Sequence, residues 1–85
     1  MPSKTVSVGS RIGLHARPAA LIAEAASSAA SAVTIATRSG APVDAGSALL
    51  IMTLGAQFGD EVVVASDDQS ALDTVADLVA KDLDA

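Results

Sequence analysis

A proline at position 18 constrains the fold of this chain more than any other single residue. Its ring blocks the preceding turn and it lacks a backbone N–H, so inside a helix it is tolerated only in the first turn. Beyond it, Leu21, Ile22, Ala25, Ala26 and Ala29 recur at helical spacing and make one apolar face. Alanine, the best helix former, crowds the same stretch. A helix therefore starts just after His15 and ends between Ser27 and Ala30.

The elements on either side follow from periodicity and turn chemistry. Lys4–Val8 alternates polar and apolar residues, which predicts a strand with Val6 and Val8 inward. Gly9 to Gly13 reads as a loop. Val33–Thr37 alternates again, Arg38–Pro42 is turn chemistry and Val43–Asp44 resumes extended structure, so a hairpin is expected. Ser47 is placed to cap a short helix over Ala48–Leu54, which stops before Gly55. The unbroken apolar run within Glu61–Ala65 fits a central strand. Ser70 is placed to cap a last helix, with Asp73 three residues on in a capping-box position. Leu72, Val75, Ala76, Val79 and Leu83 would form its buried stripe. The order β-α-β-β-α-β-α predicts two layers, a mainly antiparallel sheet with helices on one face.

Size and composition close off other classes. With 85 residues the chain is expected to be a single domain spanning residues 1–85, with one small core. At 51% hydrophobic and 18% charged residues it is too apolar for disorder. It has no cysteine and one histidine, which exclude a disulfide framework and a thiol nucleophile and predict no metal site. A net charge of −5 with a single aromatic residue offers nucleic acid neither a basic face nor a stacking platform. The longest apolar run, Ala48 to Met52, is too short for membrane insertion, and no apolar segment follows Met1–Lys4. A cytoplasmic, monomeric protein without a cofactor is the expectation.

The chemistry concentrates in Gly13-Leu14-His15-Ala16-Arg17-Pro18-Ala19. The N–H groups of a helix's first turn have no partner within the helix, and the terminus carries roughly half a positive charge. Together they favour an anion, phosphate above all. Because Pro18 has no N–H, the available donors are those of Ala16 and Arg17. The Arg17 guanidinium adds a permanent cation that can bond phosphate oxygens. His15 stands immediately before this terminus. Imidazole is nucleophilic and largely neutral near physiological pH, so it can take a phosphoryl group as a phosphoramidate and pass it on. The acidic residues crowd the second half of the chain, whereas Arg11 and Arg17 flank His15.

The segment Gly13–Ala19 resembles the active-site signature of the HPr family, the histidine-containing phosphocarriers of the bacterial phosphoenolpyruvate:sugar phosphotransferase system. Ser47 to Gly55 (SALLIMTLG) is similar to the regulatory-serine segment of that family. The spacing between the two fits within one residue, and the resemblance spans almost the whole chain. It implies an α+β fold, an open-faced β-sandwich of a four-stranded antiparallel sheet with three helices packed on one face. It also implies that His15 accepts a phosphoryl group at Nδ1, as a pros-phosphohistidine, from phospho-enzyme I. The group comes from phosphoenolpyruvate and passes to the histidine of an enzyme IIA domain during sugar uptake. Ala16 and Arg17 would bind the phosphoryl oxygens. On this reading the protein is a stoichiometric carrier and not an enzyme with a substrate pocket.

The resemblance frames two further segments. Within Ala48–Leu54, Ile51 and Leu54 are expected to face the core, which leaves Leu49, Leu50 and Met52 exposed. With the first-turn face around Ala20 they would form a docking surface beside His15. Ser47 has two readings. It is a plain N-cap, or it is the target of an HPr kinase/phosphorylase that would set about −2 of charge in the docking surface. Gly46 and Leu50 depart from the pattern of that control. Glu24, Ser27 and Ser28 stand where several relatives carry lysines, so weak electrostatic steering is expected. Two other functions use the same residues: a nitrogen-type phosphorelay, and a regulatory binding module governed by Ser47.

Overall fold

The valines of Glu61–Ser66 pair on both sides, and this is what centres the sheet. The structure, a computed structural model, describes residues 2–81. In chain order its elements are β1 (Ser3–Ser7), α1 (Ala16–Ser27), β2 (Val33–Thr37), β3 (Val43–Asp44), α2 (Ala48–Thr53), β4 (Glu61–Ser66) and α3 (Gln69–Ala80). The strand order is β1-β4-β2-β3, and every pairing is antiparallel. The architecture is the expected open-faced one, a four-stranded antiparallel sheet and three helices.

The register sets one face toward the helices. Val62, Val64 and Ser66 are buried, and they lie opposite Thr37, Ile35 and Val33 of β2. Lys4, opposite Val64 on the edge strand, reaches across to α3 and pairs with Asp73 at 2.6 Å. Ala19 and Ile22 of α1, Ile51 of α2, and Leu72, Val75 and Val79 of α3 fill the space above the sheet. Fully burying one such Val, Leu or Ile side chain stabilises the fold by roughly 1.5–3 kcal/mol.

Several expectations are corrected. β1 starts at Ser3 and ends at Ser7; Val6 is only half-buried, and Val8 is buried just after the strand. On α1, Leu21 is exposed and Ala23 is buried, so the inward face is centred on Ala19, Ile22, Ala23 and Ala26. The cap of α3 is Asp68, not Ser70. Asp68 lies one residue before the helix in extended conformation, and its carboxylate accepts the Ala71 N–H at 3.2 Å. The same carboxylate accepts the Ala30 N–H at 3.0 Å, a contact made only in the folded chain. Asp73 is drawn to Lys4 and to the Gln69 side chain and closes no capping box. Leu83 lies outside the described residues.

Candidate functional site

The loop before α1 is anchored at two points. Gly13 donates its N–H to Ser10 O at 2.9 Å, and Leu14 donates its N–H to Ala56 O at 3.1 Å. The Leu14 side chain is buried in the core. Gly13 has φ +80°, and a Cβ there would stand 2.6 Å from Ala56 O. Only glycine accepts both that backbone and that approach. The chain therefore reaches His15 from a fixed point.

His15 occupies the N-cap of α1 with φ −87° and ψ −166°. Its carbonyl accepts the Ala19 N–H at 2.9 Å, so its backbone is committed to the helix. Its side chain makes no capping hydrogen bond and is exposed. The sequence explains this local arrangement. A capping side chain accepts from the second or third helical N–H. The third residue here is Pro18, which has none. The N–H groups of Ala16 and Arg17 have no acceptor among the described residues, and both residues are exposed. Pro18 and Ala19 are buried, which pins the first turn beneath them.

The structure thus gathers His15, Ala16 and Arg17 at one helix terminus with its donors facing outward. An anion placed there meets two N–H groups and the positive end of the helix. The carboxylates with displaced titration lie elsewhere. Asp68 is held below the ordinary carboxylate range by the N–H groups of Ala30, Ala71 and Ser70. Asp73 is lowered mainly by Lys4, whose own pKa its partner raises. An open cleft of about 270 Å³ lies between Ala25, Ser28, Ala29, Asp68, Ala71 and Thr74, toward the far end of α1 from His15. Among the described residues, no three His, Asp or Glu side chains gather to hold a metal ion. No helix among them is long and apolar enough to cross a membrane.

The residues expected at a docking surface sort as their spacing implies. Ile51 is fully buried and Leu54 is half-buried against the core. Leu49 is 68% exposed, and Leu50, Met52 and Ala20 are exposed as well. Ser47 caps α2: its hydroxyl accepts the Leu50 N–H at 3.3 Å, and its side chain is half-buried. Sequence reasoning missed the Ala56 carbonyl that holds Leu14, and it missed the exposed Ile12 and Phe58. A glycine followed by a lone apolar residue just before the histidine was the available signal for the first.

The structure sets an exposed histidine at an uncapped helix terminus of an open-faced sandwich. Comparison with known proteins gives the family. The family model described as the PTS HPr component phosphorylation site matches residues 2–81. The phosphocarrier protein HPr of Streptomyces coelicolor is 46% identical over 99% of this chain and 94% of its own. The HPr structure from Bacillus anthracis superposes with a TM-score of 0.82 at 33% identity, covering 92% of this chain and 95% of that one. The HPr structure from Thermoanaerobacter tengcongensis gives 0.83 at 33% identity, covering 93% and 91%. The chain belongs to the HPr family and is a phosphocarrier of the phosphotransferase system.

Proposed function

We propose that His15 is the phosphoryl acceptor and that the chain shuttles the group from phospho-enzyme I to enzyme IIA domains in the cytoplasm. The observation that carries this reading is the uncapped start of α1, where an exposed imidazole precedes two N–H groups without acceptors. In the forward step, the lone pair of His15 Nδ1 attacks phosphorus. The bond from phosphorus to the donor breaks, and its electron pair leaves with the donor. The second step runs the same exchange onto the histidine of the enzyme IIA domain. The N–H groups of Ala16 and Arg17 and the Arg17 guanidinium stabilise the charge on the equatorial oxygens in both directions. A site made of one arginine and two amides binds the group in transit without a metal clamp. On this reading the protein acts as a stoichiometric carrier, and a monomeric single domain is sufficient for it.

Leu49, Leu50, Met52 and Ala20 form the docking surface on this reading. Leu49→Asp is expected to slow transfer with both partners while the protein stays folded; unchanged rates would remove Leu49 from the interface. Ser47 acts as an N-cap, its hydroxyl occupied by the Leu50 N–H. The decisive experiment mixes the protein with phosphoenolpyruvate, magnesium and enzyme I. The expected product carries one phosphate that is acid-labile and base-stable, and His15→Ala abolishes it. A label that survives acid would shift the assignment to a hydroxyl such as that of Ser47 and favour the regulatory reading with its kinase.

A further inference from the structure

The loop that leads to His15 is tied at both ends to one other loop. At its start, Val8 donates its N–H to Asp60 O and accepts the Gly59 N–H, both at 2.9 Å. At its end, Leu14 donates its N–H to Ala56 O at 3.1 Å, and the next residue is His15. Residues 56–60, between α2 and β4, therefore bracket residues 8–14. Ala56 is buried, whereas Gln57, Phe58, Gly59 and Asp60 are exposed. Apolar packing holds little of this bracket, so its shape depends on its hydrogen bonds.

One carboxylate joins the two tie points. Asp60 Oδ2 accepts the Gln57 N–H at 2.9 Å, and the Asp60 N–H returns a bond to Gln57 O at 3.0 Å. The Gln57 N–H and the Ala56 carbonyl belong to the same peptide group. In a trans peptide these two point to opposite sides of the chain. Asp60 thus grips that group on one side while it holds Leu14 on the other. The Gln57 side chain turns away and donates to Gly55 O at 3.3 Å. A hydrogen bond to an ionised acceptor is roughly twice as strong as a neutral one. It also polarises the peptide, which makes the Ala56 carbonyl a better acceptor for the Leu14 N–H. Asp60 is itself fixed, because its carbonyl is bonded to Val8, a buried core residue.

We propose that Asp60 is a positioning residue for phosphoryl transfer: its carboxylate clamps the Ala56–Gln57 peptide, whose carbonyl fixes Leu14 and with it the line along which His15 meets phosphorus. This rests on His15 being the acceptor. Asp60 acts through the backbone and takes no part in the bonds that form and break. Its reach is short, but attack at phosphorus is sensitive to position, and a misplacement of about 1 Å costs up to about a hundred-fold in rate.

The test uses the intact chain with Asp60→Ala and Asp60→Asn. Initial rates with phospho-enzyme I are measured against carrier concentration, and amide hydrogen exchange at Leu14 is followed by NMR. Asp60→Ala is expected to lower kcat roughly ten-fold at unchanged KM. Exchange at Leu14 is expected to quicken, while Val64 in the centre of β4 exchanges as in the wild type. Asp60→Asn keeps an acceptor oxygen for the Gln57 N–H and is expected to restore most of kcat and the slow exchange. Wild-type kcat in Asp60→Ala overturns the proposal, and so does an Asp60→Asn variant as slow as Asp60→Ala. A raised KM at wild-type kcat also overturns it, because Asp60 would then be a contact of the partner protein. If Asp60→Ala does not fold, Asp60→Glu takes its place, since its longer stem carries the carboxylate past the Gln57 N–H. The same loss of kcat is then expected, and wild-type kcat overturns the clamp. A wild-type protein that takes no acid-labile phosphate on His15 overturns the carrier reading, whereas exchange at Leu14 still reads the clamp by itself.

Discussion

Two helices of this protein begin in opposite ways. At the start of α3, Asp68 turns its carboxylate back onto the Ala71 N–H and also takes the Ala30 N–H from the turn that follows α1. That terminus carries its own anion. At the start of α1, His15 makes no side-chain cap and Pro18 deletes one of the two donors that a cap would use. That terminus is left open at Ala16 and Arg17. The same physics of unsatisfied N–H groups and a positive helix end operates at both. In one the chain supplies its own anion, and in the other a phosphoryl group arrives and departs. An exposed helix end that lacks its cap costs some stability, and here the loss coincides with the residues that carry the function.

The strongest way to break this contrast is to cap α1. His15→Asn places an amide oxygen where the imidazole stands. Phosphoryl acceptance is expected to vanish, as judged by acid-labile label. Thermal unfolding is expected to show a gain of about 0.5–1 kcal/mol, the low end for an N-cap because only the Arg17 N–H remains to be bonded. Lost stability in this variant would mean that His15 satisfies the terminus in some other way. The next effect in size belongs to Gly13→Ala. Its Cβ would meet Ala56 O at 2.6 Å on a backbone at φ +80°, so about 1–3 kcal/mol of stability is expected to go. Phosphoryl transfer should slow as well, because the anchored path into His15 is displaced. Denaturant unfolding and initial rates measure the two. A variant as stable as the wild type would show that the α2–β4 loop yields freely and does not fix the site.

The sequence showed the open terminus more clearly than the closed one. His15, Ala16, Arg17 and Pro18 are contiguous, and the proline dictates where the helix begins, so local rules were enough. The central place of β4 was legible in Val62–Val64, and the outward set of Leu49, Leu50 and Met52 in the shortness of α2. At α3, Asp68 and Ser70 are both good capping residues within one turn. The choice falls to Asp68 because its second oxygen is wanted by Ala30, thirty-eight positions away, and no local pattern carries that. Lys4 claims Asp73 in the same non-local way. On α1 the many alanines blur the apolar stripe, so the exchange of Leu21 for Ala23 was decided by packing. The Ala56 strut beneath Gly13 and Leu14 joins segments more than forty residues apart and left no trace in the pattern.

The smallest expected effect sharpens the comparison from the capped side. The Asp68 carboxyl is held below the ordinary range, first by the Ala30 N–H and then by those of Ala71 and Ser70. A carboxyl with a lowered pKa in the folded state adds stability at every pH above its unfolded value, about 3.9. That contribution is lost as the pH falls through the lower folded value. Asp68→Asn keeps an acceptor oxygen and removes the charge. Melting curves recorded from neutral pH down to about pH 2 should therefore show a shallower acid loss for the variant than for the wild type. Asp73, lowered by Lys4, titrates in the same window in both proteins and cancels in the difference. Phosphoryl acceptance at neutral pH is expected to be equal in the two, because Asp68 lies at the far end of α1 from His15. Identical acid profiles would mean that the α3 cap works through geometry alone. The anion that closes one terminus would then be no guide to the anion that visits the other.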